Sequence, residues 1–495
     1  MKQTLYKSTR SDSLPVSAAA AIVRGIAGDG GLFVPVSFPR PIEIEALVGQ
    51  SFQEVAYRVM QPFLTDFCQD ELRNCIENAY DRKFDTPLIA PLVKKGEVFF
   101  LELFHGPTLA FKDMALSILP HLLRTAVKKL GIEKEIVILT ATSGDTGKAA
   151  LEGFAGVEGT TIIVYFPEHG VSEIQKRQMV TQEGSNVHVI GIEGNFDDAQ
   201  AGVKSMFSDT GLSKKMAATN LVFSSANSIN IGRLIPQVAY YFYAYLQLRA
   251  AGEIKAGEEI NFAVPTGNFG NILAGYYARE LGLPVKTLIC ASNENKVLFD
   301  FFRSGTYDRN RRFVVTMSPS MDILISSNLE RLLYLVSEND AAVTARLMQE
   351  LAVSGSYRVS DEVKAKLKSF RAGFASEDDT ARAIRDVFAR DDYVIDTHTA
   401  VSWSACQKYR AESGDSTKTV IVSTASPFKF PRDVMKAIAG IDAGLDDFAL
   451  VKELGKLIAD GIPKAVSELE QKPVLHRTVC QIEEMKSSLE KILGI

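Results

Sequence analysis

The chemistry-bearing residues of this chain collect where an apolar stretch ends and a helical pattern begins. Lys112 is the first. It lies in LELFHGPTLAFKDMA, behind the turn His105-Gly106-Pro107-Thr108 and ahead of Met114, Leu116, Ile118, Leu119, Leu122 and Leu123 at helical spacing. Most lysines are solvated surface charges. This one is flanked by Phe111 and Met114. A desolvated lysine has a depressed pKa, and its neutral amine can form a Schiff base.

Four further segments supply groups that such an amine could use. Thr142, Ser143, Gly144, Asp145 and Thr146 sit between a strand pattern and a helix, where free amides and hydroxyls form an anion cradle. Gly267, Asn268, Phe269, Gly270 and Asn271 stand in a similar place, and their glycines let backbone approach a phosphate. In Ser224–Arg233 the donors Asn227 and Ser228 precede Arg233 at a helix start, and a guanidinium pairs with phosphate as a fork. Ser423-Thr424-Ala425-Ser426-Pro427 offers hydroxyls that could bond a ring nitrogen without placing a charge beside it. Alone, each segment reads equally well as a helix cap or polar turn. Neither GxGxxG nor GxxxxGK[ST] occurs among them, which disfavours a dinucleotide fold and a P-loop.

The elements that position these groups alternate. From about residue 96, short β-branched strands (98–103, 136–141, 161–165, 187–190, 222–223, 260–264, 287–291, 393–395 and 419–423) alternate with amphipathic helices. That rhythm predicts an α/β fold with mainly parallel sheets and the motifs at strand C-ends, where open sheets bind ligands. We expect a mainly helical N-terminal region over 1–95 and an α/β core over 96–300 and 391–430, with a smaller subdomain near 110–230. A helical insertion without a motif of its own is expected over 301–390, and a charged helical region over 431–495. Pro120 is expected to kink the helix after Lys112.

Composition narrows the class. The chain has 495 residues, 46 % hydrophobic and 23 % charged, with net charge −5, so no basic field suggests nucleic acid. Five scattered cysteines and six histidines without metal-ligand spacing suggest a reduced, cytoplasmic protein and no metal site. The Ala18–Val23 run is too short for a signal peptide, and no apolar stretch is long enough to span a membrane.

A buried amine, a phosphate cup and a neutral ring-nitrogen partner together describe a pyridoxal 5'-phosphate site. The motifs YKSTR, GDGGLFVP, HGPTLAFKD, TATSGDTGKAA, ANSINIGR, PTGNFGNILAGYYA and STASPFKF, in this order, resemble the threonine synthases. These belong to PLP fold type II (tryptophan synthase β-like), and the resemblance is to their longer bacterial and fungal branch. It implies conversion of O-phospho-L-homoserine and water to L-threonine and phosphate, the last step of threonine biosynthesis. By resemblance Lys112 is the Schiff-base lysine and Gly267 to Asn271 hold the cofactor phosphate. Thr424, ahead of Ser423, meets the pyridine nitrogen. Thr142 to Thr146, Asn227, Ser228 and Arg233 meet the substrate. Asp145 departs from the wider fold type II pattern, where asparagine is common. It is left to cap its helix, pair with Lys148 or meet a cofactor hydroxyl. A phospho-lyase yielding 2-oxobutyrate and a non-catalytic PLP-binding protein remain as alternatives. The resemblance leaves monomer or homodimer open.

Overall fold

The computed structural model describes residues 3–142, 144–440 and 444–495. Two open sheets organise them. The larger has six strands in the order Phe370–Phe374, Val285–Ser292, Ile260–Pro265, Thr419–Ser423, Val98–Glu102 and Leu92–Lys95. All its neighbours run parallel except the last pair, a hairpin turning at Gly96 (φ +57°). The smaller has five parallel strands in the order Thr478–Cys480, Val187–Ile192, Thr160–Pro167, Glu135–Ala141 and Leu221–Ser224. The expected α/β architecture with mainly parallel sheets is thus present.

Burial explains why the strands read as continuous apolar runs. Every residue of Val98–Glu102, Ile260–Pro265 and Thr419–Ser423 is buried, because helices cover both faces of the larger sheet. The helix Ile231–Ala250 is apolar on nearly all sides, and only Gln247, Arg249 and Ala250 escape burial. Such a helix belongs in a core. It packs on Phe52–Met60 and Gly270–Glu280, which ties the N-terminal region to the larger sheet.

Several elements differ from the sequence expectations. Tyr393–Ile395 forms no strand. Tyr393 is occupied by its hydroxyl bond to Glu102 and its ring contact with Phe100, and Asp396 then caps the helix Thr397–Ser413. The edge strand is Phe370–Phe374 instead, where Gly373 admits the backbone of Ala405. The N-terminal region contains a two-stranded pair, Tyr6–Ser8 with Phe33–Pro35. Within the C-terminal region Thr478–Cys480 pairs with Val187–Ile192 of the smaller sheet. The helix after Lys112 is divided into Asp113–Leu116 and Leu119–Lys129, with Pro120 in the first turn of the second piece, where its missing N–H costs nothing. No helix among the described residues is long and apolar enough to cross a membrane.

Candidate active site

Lys112 ends a turn that is stitched to the end of the strand Thr419–Ser423. Phe111 N donates to the Thr424 carbonyl at 2.8 Å and Ser426 N to the Leu109 carbonyl at 3.0 Å. Asp113 closes the turn from within, accepting from Thr108 N at 2.8 Å and Thr108 Oγ1 at 2.6 Å. A methyl group at Gly106 would strike the Asp113 carboxylate, so glycine is required there. The result is a rigid platform for Lys112, whose side chain is only 13 % exposed.

The Lys112 amine faces a hydroxyl and a carboxylate. Its Nζ lies 3.4 Å from Ser320 Oγ and 3.5 Å from Asp145 Oδ2. Burial drives its pKa below the ordinary lysine value. Asp145 opposes that shift, and the positive charges of Lys429 and Arg233 add to it.

Asp145 begins the helix Asp145–Phe154 but caps nothing. Thr142 Oγ1 accepts the amides of Gly144 at 3.0 Å and Gly147 at 2.9 Å instead. Nor does Asp145 pair with Lys148, which is engaged by Glu152 and Gln182. Its carboxylate accepts from Lys429 Nζ at 2.9 Å, Gln175 Nε2 at 2.9 Å and Ser320 Oγ at 2.8 Å. Burial alone would raise its pKa, but Lys429 and Lys112 outweigh that and hold it well below the usual carboxylate range. Gly144 has φ +127°, and a Cβ there would lie 2.5 Å from the Gln175 side chain. Thr146 is half-buried in the first helical turn. Ser143 lies outside the described residues.

The loop 267–271 enters the helix Gly270–Glu280 through Phe269, which is left-handed at φ +65°. Among the described residues the amides of Gly267, Asn268, Gly270 and Asn271 have no acceptor. Asn271 spends its side chain locally, donating to the Pro265 carbonyl at 2.8 Å. The Asn268 carbonyl accepts twice from Asn328, at 3.1 Å from the amide and 3.0 Å from Nδ2. A Cβ on Gly267 would lie 2.8 Å from the Ser320 carbonyl, so this loop and the Ser320 segment are in close contact.

Arg233 sits in the first turn of Ile231–Ala250 below the Asn230 cap. Nη1 donates to the Ala226 carbonyl at 3.0 Å, while Nε is buried without a partner among the described residues. Burial lowers its pKa to about 10, so it stays cationic at neutral pH. A buried cation without a carboxylate partner is an anion receptor in waiting. In the loop just before it, exposed Asn227 and half-buried Ser228 are bonded to each other at 3.2 Å.

Thr424 is buried, and its hydroxyl has no bond among the described residues. The neighbouring Ser423 Oγ is likewise buried and unpartnered. Unclaimed loop amides, an unclaimed hydroxyl pair and a low-pKa lysine fit the phosphate, ring nitrogen and aldehyde of pyridoxal phosphate.

Other residues at this site carried no clear sequence signal. Ser320 arrives from 301–390, its amide donating to His398 Nε2 at 3.1 Å, and His398 Nδ1 in turn meets Asp396 at 2.8 Å. Asn328 also donates to the Ser228 carbonyl at 3.2 Å, linking two loops. Lys429 did leave a trace: PFKF sets a lysine between two phenylalanines, and AFKDM likewise sets Lys112 directly after one.

Comparisons with known proteins show the family. Residues 5–80 match the family "Threonine synthase N terminus", 83–425 "Pyridoxal-phosphate dependent enzyme" and 399–486 "Threonine synthase, C-terminal". Threonine synthase of Pseudomonas aeruginosa is 41 % identical over 88 % of this chain and 90 % of its own length. Human threonine synthase-like 1 is 38 % identical over 84 % of this chain, which covers 57 % of that longer protein. The PLP-bound crystal structure of threonine synthase from Brucella melitensis superposes with TM-score 0.88 at 38 % identity, covering 99 % of each chain. The chain therefore belongs to the threonine synthase family of pyridoxal-phosphate-dependent, fold type II enzymes.

Proposed function

We propose that this protein converts O-phospho-L-homoserine and water to L-threonine and phosphate at the Lys112 site. The observation that carries this reading is Arg233, a buried guanidinium with no carboxylate partner among the described residues, close enough to depress the Lys112 pKa. A phosphate ester supplies the charge that this arginine lacks.

Gly267 to Asn271 would hold the cofactor phosphate, Thr424 the pyridine nitrogen and Lys112 the aldehyde carbon. Bound there, pyridoxal phosphate supplies an electron sink for negative charge at the substrate Cα. Lys112 Nζ, as a neutral amine, would take the Cα proton and later a Cβ proton. Arg233, with exposed Asn227 and half-buried Ser228 as donors, binds the γ-phosphate and stabilises the charge that grows as it departs. Thr142, Gly144 and Thr146, at the start of the helix Asp145–Phe154, would meet the substrate. Asp145 is turned away from that role by its own lysine and glutamine partners.

Purified protein supplied with pyridoxal phosphate and O-phospho-L-homoserine should release phosphate and L-threonine in equal amounts. A second reading, elimination to 2-oxobutyrate, would use the same residues. Product identification separates them, and a keto acid as sole organic product would sink the first.

A further inference from the structure

Two lysines share one carboxylate in this site, and they are held very differently. Lys429 is 0 % exposed, and its Nζ has three acceptors: Asp145 Oδ1 at 2.9 Å, the Thr108 carbonyl at 2.9 Å and Gln178 Oε1 at 3.4 Å. An ammonium has three N–H donors and no lone pair, so this cage fits the charged form. Lys112 makes only long contacts, at 3.4 and 3.5 Å. The charge count then decides which lysine can lose a proton. Two ammoniums and one carboxylate leave a buried net charge of +1, with Arg233 adding to it. Deprotonating Lys112 leaves a neutral, fully bonded Lys429–Asp145 pair. Deprotonating Lys429 would break its cage.

We propose that Lys429 is a positioning residue acting through Asp145: it claims the carboxylate, so that Lys112 is free to work as a neutral amine. This rests on the reading of Lys112 as the cofactor-bearing lysine. It also explains how an aspartate is tolerated beside an anionic substrate, since its charge is matched from the side away from Lys112. The other charged groups around the pair are accounted for. Asp113 is held by Thr108, Lys148 by Glu152, and His398 by Asp396 behind the Ser320 amide.

The test follows the pH dependence of cofactor attachment to the full-length chain. Protein stripped of cofactor is mixed with pyridoxal phosphate, quenched with borohydride and digested, and the label on Lys112 is quantified against pH. In Lys429→Met, Asp145 has only Lys112 to pair with, so the midpoint should rise by about one to three pH units, the range for a close opposite charge. In the double variant Asp145→Asn/Lys429→Met it should return to the wild-type value or below. An unchanged or lowered midpoint in Lys429→Met, or a double variant as high as Lys429→Met alone, overturns the proposal. If Lys429→Met does not fold, Asp145→Asn reads the same coupling with the opposite sign; an unchanged midpoint there also overturns it. Absence of label at Lys112 in the wild type would instead overturn the site reading on which this rests.

Discussion

Asn328 donates to the carbonyl of Asn268 twice, from its amide and from its side chain, and the same Nδ2 reaches the Ser228 carbonyl at 3.2 Å. One asparagine thus ties the loop proposed for the cofactor phosphate to the loop proposed for the substrate phosphate. Arg331, fully buried one turn later, fixes the tie by donating to Asn328 Oδ1, to the Ile229 carbonyl and to the Phe33 carbonyl at 2.9 Å. The N-terminal segment is anchored at the same point, since Thr9 and Arg10 both donate to Glu330.

Asn328→Ala should therefore weaken both ligands at once, although neither is assigned to Asn328. A buried hydrogen bond of this kind is worth roughly 1–2 kcal/mol, so the cofactor dissociation constant and the substrate KM should each rise about 5- to 30-fold. Equilibrium titration with pyridoxal phosphate and steady-state kinetics measure the two. A change in only one of them would show that the loops are not coupled through this residue.

Arg233→Gln tests function against stability. Removing a buried, uncompensated cation relieves desolvation, so the melting temperature should hold or rise. The same change removes the charge proposed to meet the leaving phosphate, and kcat/KM should fall by about 10²–10³, the usual loss for a transition-state donor. Parallel loss of stability and activity would mean that Arg233 is structural.

These two residues also mark how far the sequence was legible. Arg233, Lys112 and the 267–271 loop sit in motifs whose local order suggests the proposed chemistry. Ser320, Asn328 and Arg331 act across long stretches of chain: Ser320 reaches Asp145 over 175 residues. No local pattern marks them, because their meaning lies in tertiary contacts. The strand Phe370–Phe374 escaped notice because Gly373 interrupts its apolar pattern. Tyr393–Ile395 was misread as a strand because its residue types suit one, whereas no neighbouring strand pairs with it.

Gly267→Ala should act through shape alone. The new methyl would lie 2.8 Å from the Ser320 carbonyl and 3.3 Å from Met321 Cα, both backbone atoms that cannot swing aside. The Ser320 segment or the loop must shift. Cofactor affinity should drop at least tenfold, with a global destabilisation of about 1–3 kcal/mol, typical of overpacking. Isothermal titration and denaturant unfolding report the two effects, and wild-type affinity would show that the contact has slack.

His105, in the turn ahead of Lys112, gives a stability test. It lies between Asp85 at 2.6 Å and Glu102 at 2.8 Å, with its side chain 18 % exposed. Burial alone would lower its pKa, but the two carboxylate bonds override this and raise it to about 9. The folded value exceeds the unfolded one, near 6.5. The protonated ring therefore stabilises the fold fully below about pH 6.5, and that contribution is lost as pH rises through 9. The shift corresponds to roughly 3 kcal/mol, which solvent screening around half-exposed Asp85 reduces to about 1–2 kcal/mol. In His105→Gln the decline in unfolding free energy between pH 6.5 and 9.5 should be shallower than in the wild type by that amount. Urea denaturation across this range measures it, and parallel wild-type and variant curves would show that the His105 cluster adds no pH-dependent stability.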